Sequence, residues 1–120
     1  MDRPKLSGIR RLLLAFVNSW AGFKGAFKFE AAFRQEVALA VVLLPLGVYL
    51  GKTGVERALL LGSVVFVLIV ELLNTGIETV VDRIGLERHE LSGLAKDVGS
   101  TAVLLAFALL GIVWGFTLLG

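Results

Sequence analysis

Cysteine is absent from the 120-residue sequence, and histidine occurs only once, at His89. Without cysteine, the sequence offers no disulfides, thiolate metal sites, iron–sulfur clusters or cysteine nucleophiles. A single histidine cannot build the multi-ligand zinc sites of metalloenzymes. Any bound metal ion must therefore be held by carboxylates, which favours a hard ion such as magnesium.

Charged residues are also scarce for a chain of this length. They make up 18% of the sequence, hydrophobic residues make up 57%, and the mean hydropathy is +0.86. Soluble domains carry about a quarter charged residues and fewer than half apolar ones. The high apolar content and a net charge of only +2 also exclude a disordered chain. Residues 1–120 are therefore predicted to form one integral-membrane domain, surrounded by lipid and with no nucleic-acid partner.

Three segments are long and apolar enough to cross a membrane, which requires about 20 residues of helix. The segment 98–119 is uncharged, the segment 31–50 has a polar cluster in its first turns, and the segment 57–81 contains charge along its length. The predicted fold is all-α, with three transmembrane helices over these segments and a charged loop over residues 82–97.

Basic residues are distributed unevenly around the predicted spans. Seven lie at or before the start of the first span, three lie in the loop 82–97, and two flank the short turn between the first two spans. The positive-inside rule then places the N-terminus and the loop 82–97 in the cytoplasm. The C-terminal end is predicted to face the opposite side of the membrane.

An amphipathic helix is predicted over about residues 6–28, before the first span. Apolar residues recur there at spacings of three and four, which places them on one helical face, and basic residues gather on another face. Such a helix lies on the membrane surface, here on the cytoplasmic leaflet. The pattern fits a simple anchor to anionic lipid and a direct role in a site equally well.

Three polar residues interrupt the middle span with helical spacing. Glu71, Asn74 and Glu78 are three and four residues apart, so they share one helical face, and Asp82 continues it. A carboxylate inside a span costs at least a few kcal/mol, so Glu71 must face protein or a water-filled cleft. Asn74 alone would suffice for a hydrogen bond between helices. The added carboxylates therefore indicate a functional site.

Further charged groups lie at the cytoplasmic boundary. They include Glu30 and Glu36 near the start of the first span, and cationic residues around the loop 82–97. Carboxylates with nearby cations suit a magnesium–phosphate complex. On the residues alone, a phosphoryl-transfer enzyme and a small proton- or cation-coupled transporter are equally open, because both use an intramembrane glutamate. A non-enzymatic membrane anchor is the third possibility.

Three stretches of sequence together resemble a known family. They are Glu71-Leu72-Leu73-Asn74-Thr75-Gly76-Ile77-Glu78, His89-Glu90-Leu91-Ser92-Gly93, and Glu30-Ala31-Ala32-Phe33-Arg34-Gln35-Glu36. They resemble the small integral-membrane diacylglycerol kinases of Gram-negative bacteria. The related undecaprenol kinases share the Glu-x-x-Asn-x-x-x-Glu core, whereas the other two stretches are more similar to the diacylglycerol branch.

This resemblance implies a fold, an assembly and a reaction. It implies a homotrimer in the bacterial inner membrane, with a surface helix and three spans per subunit, composite active sites at subunit boundaries and a periplasmic C-terminus. It implies transfer of the γ-phosphoryl group of MgATP to the hydroxyl of sn-1,2-diacylglycerol, which gives phosphatidate for lipid recycling. Magnesium is the implied cofactor, and undecaprenol kinase activity is the alternative within the superfamily.

The resemblance also implies roles for individual residues. Glu71 would be the general base, Glu30 and Glu78 would hold the magnesium ion, and Asn74 would support the polar wall. Nucleotide contacts are implied for Arg11, Asn18, Glu30, Glu78, Glu87, Arg88, His89, Lys96 and Asp97. Contacts with the lipid substrate are implied for Arg11, Ser19, Trp20, Phe33, Arg34, Gln35, Glu36, Glu71, Ser100 and Trp114. One departure is Asn18, which stands where the family often has a tyrosine.

Overall fold

A computed structural model describes residues 7–120 as four α-helices. Helix α1 spans Gly8–Phe29, α2 Ala31–Leu50, α3 Gly54–Ile84 and α4 Glu90–Leu119. The prediction of an all-α fold is confirmed. Helices α2, α3 and α4 are each long and apolar enough to cross a membrane, as expected of an integral membrane protein. The predicted start of the surface helix, at residue 6, lies outside the described residues.

The charged segment after α3 is more helical than its composition suggests. The prediction of a loop over residues 82–97 is wrong, because α3 continues to Ile84 and α4 already begins at Glu90. His89 caps α4, since its Nδ1 accepts a hydrogen bond from the backbone N–H of Leu91 at 3.1 Å. The non-helical connection is thus confined to residues 85–89, and much of the charged segment lies on helix ends.

Helix α3 is the centre of the fold, because it packs against both α2 and α4. Its buried residues follow one face at helical spacing and comprise Leu60, Ser63, Val64, Val67, Glu71, Asn74 and Val81. The face is largely apolar near the start of α3 and becomes polar at Glu71. The packing core therefore leads directly into the predicted site.

A tight turn over residues 51–53 joins α2 to α3. Thr53 Oγ1 accepts a hydrogen bond from the backbone N–H of Glu56 at 3.1 Å, which caps the start of α3. Arg57 Nε donates to the Val48 carbonyl at 3.0 Å and so caps the end of α2. A Cβ atom at Gly51 would lie 2.5 Å from Arg57 Cγ, so the close approach of the two helices requires glycine there.

Trp114 connects α4 to α3 at the same end of the molecule. Its indole Nε1 donates to the Leu60 carbonyl and to Ser63 Oγ, both at 3.1 Å. The ring also borders Gly47 of α2, where an added Cβ would lie 3.6 Å from it. One side chain therefore contacts all three of the long apolar helices.

Candidate active site

Two acids and one amide are buried where α2 meets the polar part of α3. Glu71 is 4% exposed, and Glu36 and Asn74 are each 8% exposed. The Glu36 and Glu71 carboxyl groups lie within hydrogen-bonding reach of each other across the helix interface. The prediction that Glu71 faces protein rather than lipid is confirmed.

Two further acids adjoin this pair. Glu30, at the junction of α1 and α2, and Glu78, one helical turn after Asn74, are both half-buried and lie close enough to interact electrostatically with Glu71. Asn74 Nδ2 donates a long hydrogen bond of 3.4 Å to Glu78 Oε1. The fold thus gathers four carboxyl groups from α2, α3 and the α1–α2 junction around one centre, where cations or protons must offset their mutual repulsion.

Two oxygen atoms at this centre have no partner among residues 7–120. Glu36 Oε2 and Asn74 Oδ1 are buried and accept no hydrogen bond from the described residues. Leaving a buried polar atom unpaired costs about 1–3 kcal/mol. Such atoms are rare in folded proteins and indicate a catalytic role or a place for water or an ion.

The donor chemistry of this cluster fits magnesium that also binds phosphate. Within residues 7–120, no three acidic or histidine side chains are grouped so that they alone could hold a metal ion. Magnesium, however, takes only one or two protein carboxylates when substrate phosphates and water complete its shell. Glu30 and Glu78 both lie near Glu71, and two carboxylates suit an ion of this kind, whereas an ion held entirely by protein ligands would not fit.

Four of the predicted nucleotide contacts are brought together beside the 85–89 connection. They line a small cavity of about 160 Å³ and are Glu87, Arg88, His89 and Lys96. Lys96 Nζ lies 2.8 Å from Asp82 Oδ1, so α3 and α4 are joined by an ion pair at this point. Asp97 is exposed on α4 and does not line the cavity.

A larger cleft of about 760 Å³ separates α1 from α3. Its lining is mainly apolar and includes Phe23, Phe29 and Leu72, with the predicted lipid contact Ser19 and the acid Glu30 also at its wall. Trp20, another predicted lipid contact, is 61% exposed beside it and stacks on Phe23 with ring centroids 5.9 Å apart.

Three predicted lipid contacts have partners within the fold, and their contacts with lipid stay predictions. Phe33 is 0% exposed and packs edge to face against Phe23 of α1. Arg34 Nη1 donates to the carbonyls of residues 27 and 28, at 2.8 and 2.9 Å, and so caps the end of α1. Trp114 binds Ser63, which lies about 12 Å along α3 from Glu71 at about 1.5 Å per residue. The structure does not bring Trp114 to the carboxylates.

The remaining predicted contacts lie on exposed surface. Arg11 and Asn18 are exposed on α1, Gln35 on α2 and Ser100 on α4. Their roles stay predictions. Gly99 of α4, which is buried against Asn74, is not among the predicted site residues. The local sequence does not distinguish it from the other glycines of α4.

Comparisons with known proteins identify the family of this chain. Residues 17–118 match the family described as prokaryotic diacylglycerol kinase. The chain is 52% identical to the diacylglycerol kinase of Haemophilus influenzae over 111 residues. The aligned region covers 92% of this chain and 94% of that protein. The chain is 49% identical over 114 residues to the diacylglycerol kinase of Pseudomonas aeruginosa, covering 95% and 93%. It is 40% identical over 116 residues to the diacylglycerol kinase of Helicobacter pylori, covering 97% and 91%. The chain therefore belongs to the prokaryotic diacylglycerol kinase family.

Proposed function

We propose that this chain transfers the γ-phosphoryl group of MgATP to the hydroxyl of sn-1,2-diacylglycerol, giving phosphatidate and ADP. Family membership supports the reaction class. The observation that carries the assignment to particular residues is the burial of the Glu71 carboxyl group, 4% exposed, on a helix long enough to cross a membrane. An intramembrane acid of this kind is expected to be functional.

The length of α3 supports a position for Glu71 at the membrane boundary. Helix α3 has 31 residues, whereas about 20 residues cross the hydrocarbon layer. Counting about 20 residues from the start of α3 at Gly54 places the point where the helix leaves the hydrocarbon layer near Asn74. Glu71 then lies just inside the boundary and Glu78 just outside it. The hydroxyl of diacylglycerol lies at the same boundary, and ATP arrives from water.

Glu71 suits the role of general base. In the proposed reaction, its carboxylate accepts the proton of the lipid hydroxyl while the lipid oxygen forms a bond to the γ-phosphorus and the bond to ADP breaks. Phosphoryl transfer depends mainly on positioning and charge stabilisation. The neighbouring α2 helix, which buries Glu36 beside it, restricts where the Glu71 carboxyl group can point.

Glu30 and Glu78 are proposed to hold magnesium together with phosphate oxygens of ATP. The bound ion would neutralise charge on the transferred group. Asn74 restrains the Glu78 carboxylate through its side-chain amide. Arg88 and Lys96, which line the cavity beside the 85–89 connection, offer positive charge to the nucleotide phosphates.

The α1–α3 cleft is proposed to receive the lipid. Its apolar lining suits acyl chains, and Glu30 at its wall places the cleft beside the carboxylates. Exposed apolar residues along α1, among them Ile9 and Phe16, together with Lys24 and Lys28, support a surface helix on an anionic leaflet.

The membrane setting and the assembly are further parts of the proposal. The charge distribution supports a cytoplasmic site in the bacterial inner membrane and a periplasmic C-terminus. The family resemblance supports a homotrimer with composite sites. Helix α4 leaves most of its apolar surface uncovered within one chain, which suits contact with lipid and neighbouring subunits.

The test is an assay of the purified protein in mixed micelles with MgATP and either diacylglycerol or undecaprenol, scored for phosphorylated lipid. Phosphatidate from diacylglycerol is expected, and a chelator should abolish its formation until magnesium is restored. Product from neither lipid would overturn the kinase assignment. Product from undecaprenol alone would overturn the proposed substrate, and full activity under chelation would overturn the role of magnesium.

A further inference from the structure

Gly99 of α4 lies directly against the side chain of Asn74 on α3. Gly99 is buried, and a Cβ atom added to it would overlap Asn74 Oδ1 and lie 3.2 Å from Asn74 Cγ. The three atoms nearest to that added Cβ all belong to the Asn74 side chain. The α4 backbone therefore approaches this amide more closely than any residue with a side chain would allow.

The Asn74 amide is held from two sides. Its Oδ1 lies against Gly99 and has no hydrogen-bond partner in the part of the chain that the structure describes, while its Nδ2 donates to Glu78 Oε1 at 3.4 Å. Turning the amide over would direct Oδ1 at the Glu78 carboxylate, where two acceptors would repel. The backbone at Gly99 and the carboxylate of Glu78 thus together fix the orientation of the amide.

We propose that Gly99 is a positioning residue for phosphoryl transfer. Its missing side chain sets the place of the Asn74 amide, and the amide in turn holds the Glu78 carboxylate. Helix α4 thereby takes part in a site whose acids come from α2, α3 and the α1–α2 junction. The inference rests on the proposed function in one respect, the role of Glu78 toward MgATP.

Helix α4 supplies a matched control in Gly111. An added Cβ at Gly111 would meet nothing within 4 Å. Gly99→Ala and Gly111→Ala each add one methyl group to the interior of the same helix, and both raise its helix propensity. A difference between the two variants therefore reports the contact with Asn74.

The first measurement uses a MgATP analogue with a non-transferable γ-phosphoryl group. Its binding to the full chain in detergent micelles is measured by calorimetry. Gly99→Ala should weaken binding at least tenfold, and should lower kcat/KM for MgATP at least tenfold while KM for diacylglycerol stays within twofold. Gly111→Ala should stay within twofold of wild type in all three. Equal behaviour of the two variants would overturn the proposal.

The second measurement repeats the comparison in an Asn74→Ala background. Because the overlapping side chain is gone, adding Gly99→Ala should change analogue binding less than twofold. If the losses of analogue affinity in the two single variants multiply in the double variant, Gly99 acts on general helix packing and the proposal fails. If Gly99→Ala alone does not fold, the double variant decides: recovery of the Asn74→Ala unfolding midpoint supports the contact, and failure to recover it contradicts the contact. A wild-type protein that binds the analogue but forms no phosphatidate would overturn the proposed function and leave this contact intact.

Discussion

At the scale of single residues, Glu36 and Glu71 form a buried acidic pair at the α2–α3 interface. Glu36 Oε2 has no hydrogen-bond partner among the described residues. An apolar side chain of similar size often fits such a position at no cost in stability. The pair is therefore better explained by a role in the reaction than by a contribution to stability, since active sites commonly reduce the stability of the fold.

Replacing Glu36 separates these two contributions. Glu36→Leu should raise the free energy of unfolding by about 1 kcal/mol, because an unpaired buried oxygen is removed. The same change should lower turnover at least tenfold, because Glu71 loses the neighbour that restricts its carboxyl group. Denaturant titration in micelles and the rate of phosphatidate formation check the two effects. A less stable protein with unchanged turnover would show that Glu36 serves only the fold.

The polar face of α3 could be predicted from the sequence, whereas the burial of Phe33 could not. Glu71, Asn74 and Glu78 share a face because the helical repeat alone places them there. Phe33 is buried by Phe23, which belongs to a different helix. Nothing in the local pattern around Phe33 distinguishes a core position from a lipid-facing one.

At the scale of helices, two arginines cap the ends of the helices that precede them. Arg34 at the start of α2 holds the last carbonyls of α1, and Arg57 at the start of α3 holds the Val48 carbonyl of α2. A cation at a helix C-terminus is favourable for both hydrogen bonding and the helix dipole. The α1–α2 cap also fixes the junction that carries Glu30.

Arg34→Ala should loosen that junction. Amide hydrogen exchange in the last turn of α1 should become about tenfold faster, which corresponds to about 1.4 kcal/mol, and turnover should fall several-fold because Glu30 is less well placed. Arg57→Ala removes the same kind of cap at the far end and should leave turnover within twofold. Unchanged exchange together with a higher KM for diacylglycerol would contradict the cap and favour the lipid contact that the resemblance implies.

The charged segment between α3 and α4 shows why helix ends were less predictable than helix centres. Composition indicated a loop over residues 82–97, yet charged residues are compatible with helices that extend into water. The start of α4 is marked by His89, a weaker signal than the serine, threonine, aspartate or asparagine usual at that position.

At the scale of the whole molecule, Trp114 joins helices whose contacting residues are 51 and 54 positions apart in the sequence. No local spacing reveals such a contact, so the sequence could not show it. The fold class and the polar face of α3 follow from periodicity and hydropathy, which act locally. The pairing of helices depends on which side chains meet after the chain has packed.

Trp114→Phe should therefore destabilise the packed bundle. It keeps an aromatic ring but removes the indole N–H, so the free energy of unfolding should fall by about 1–2 kcal/mol. Denaturant titration in micelles measures this loss. Val113→Ala, at the neighbouring position, retains the indole and controls for a general effect of changes in this turn. An unfolding free energy equal to that of wild type in Trp114→Phe would contradict the interhelical role.

The buried Glu71 carboxylate is proposed to accept the proton during lipid phosphorylation. The turnover of Glu71→Gln with MgATP and diacylglycerol measures this role directly. Glutamine keeps the size of the side chain but cannot act as the base, so a loss of about 100-fold or more is expected with normal folding and assembly. Glu56→Gln, on the same helix at the opposite end, should stay within twofold of wild type. A folded Glu71→Gln protein that retains most of its turnover would contradict the claim.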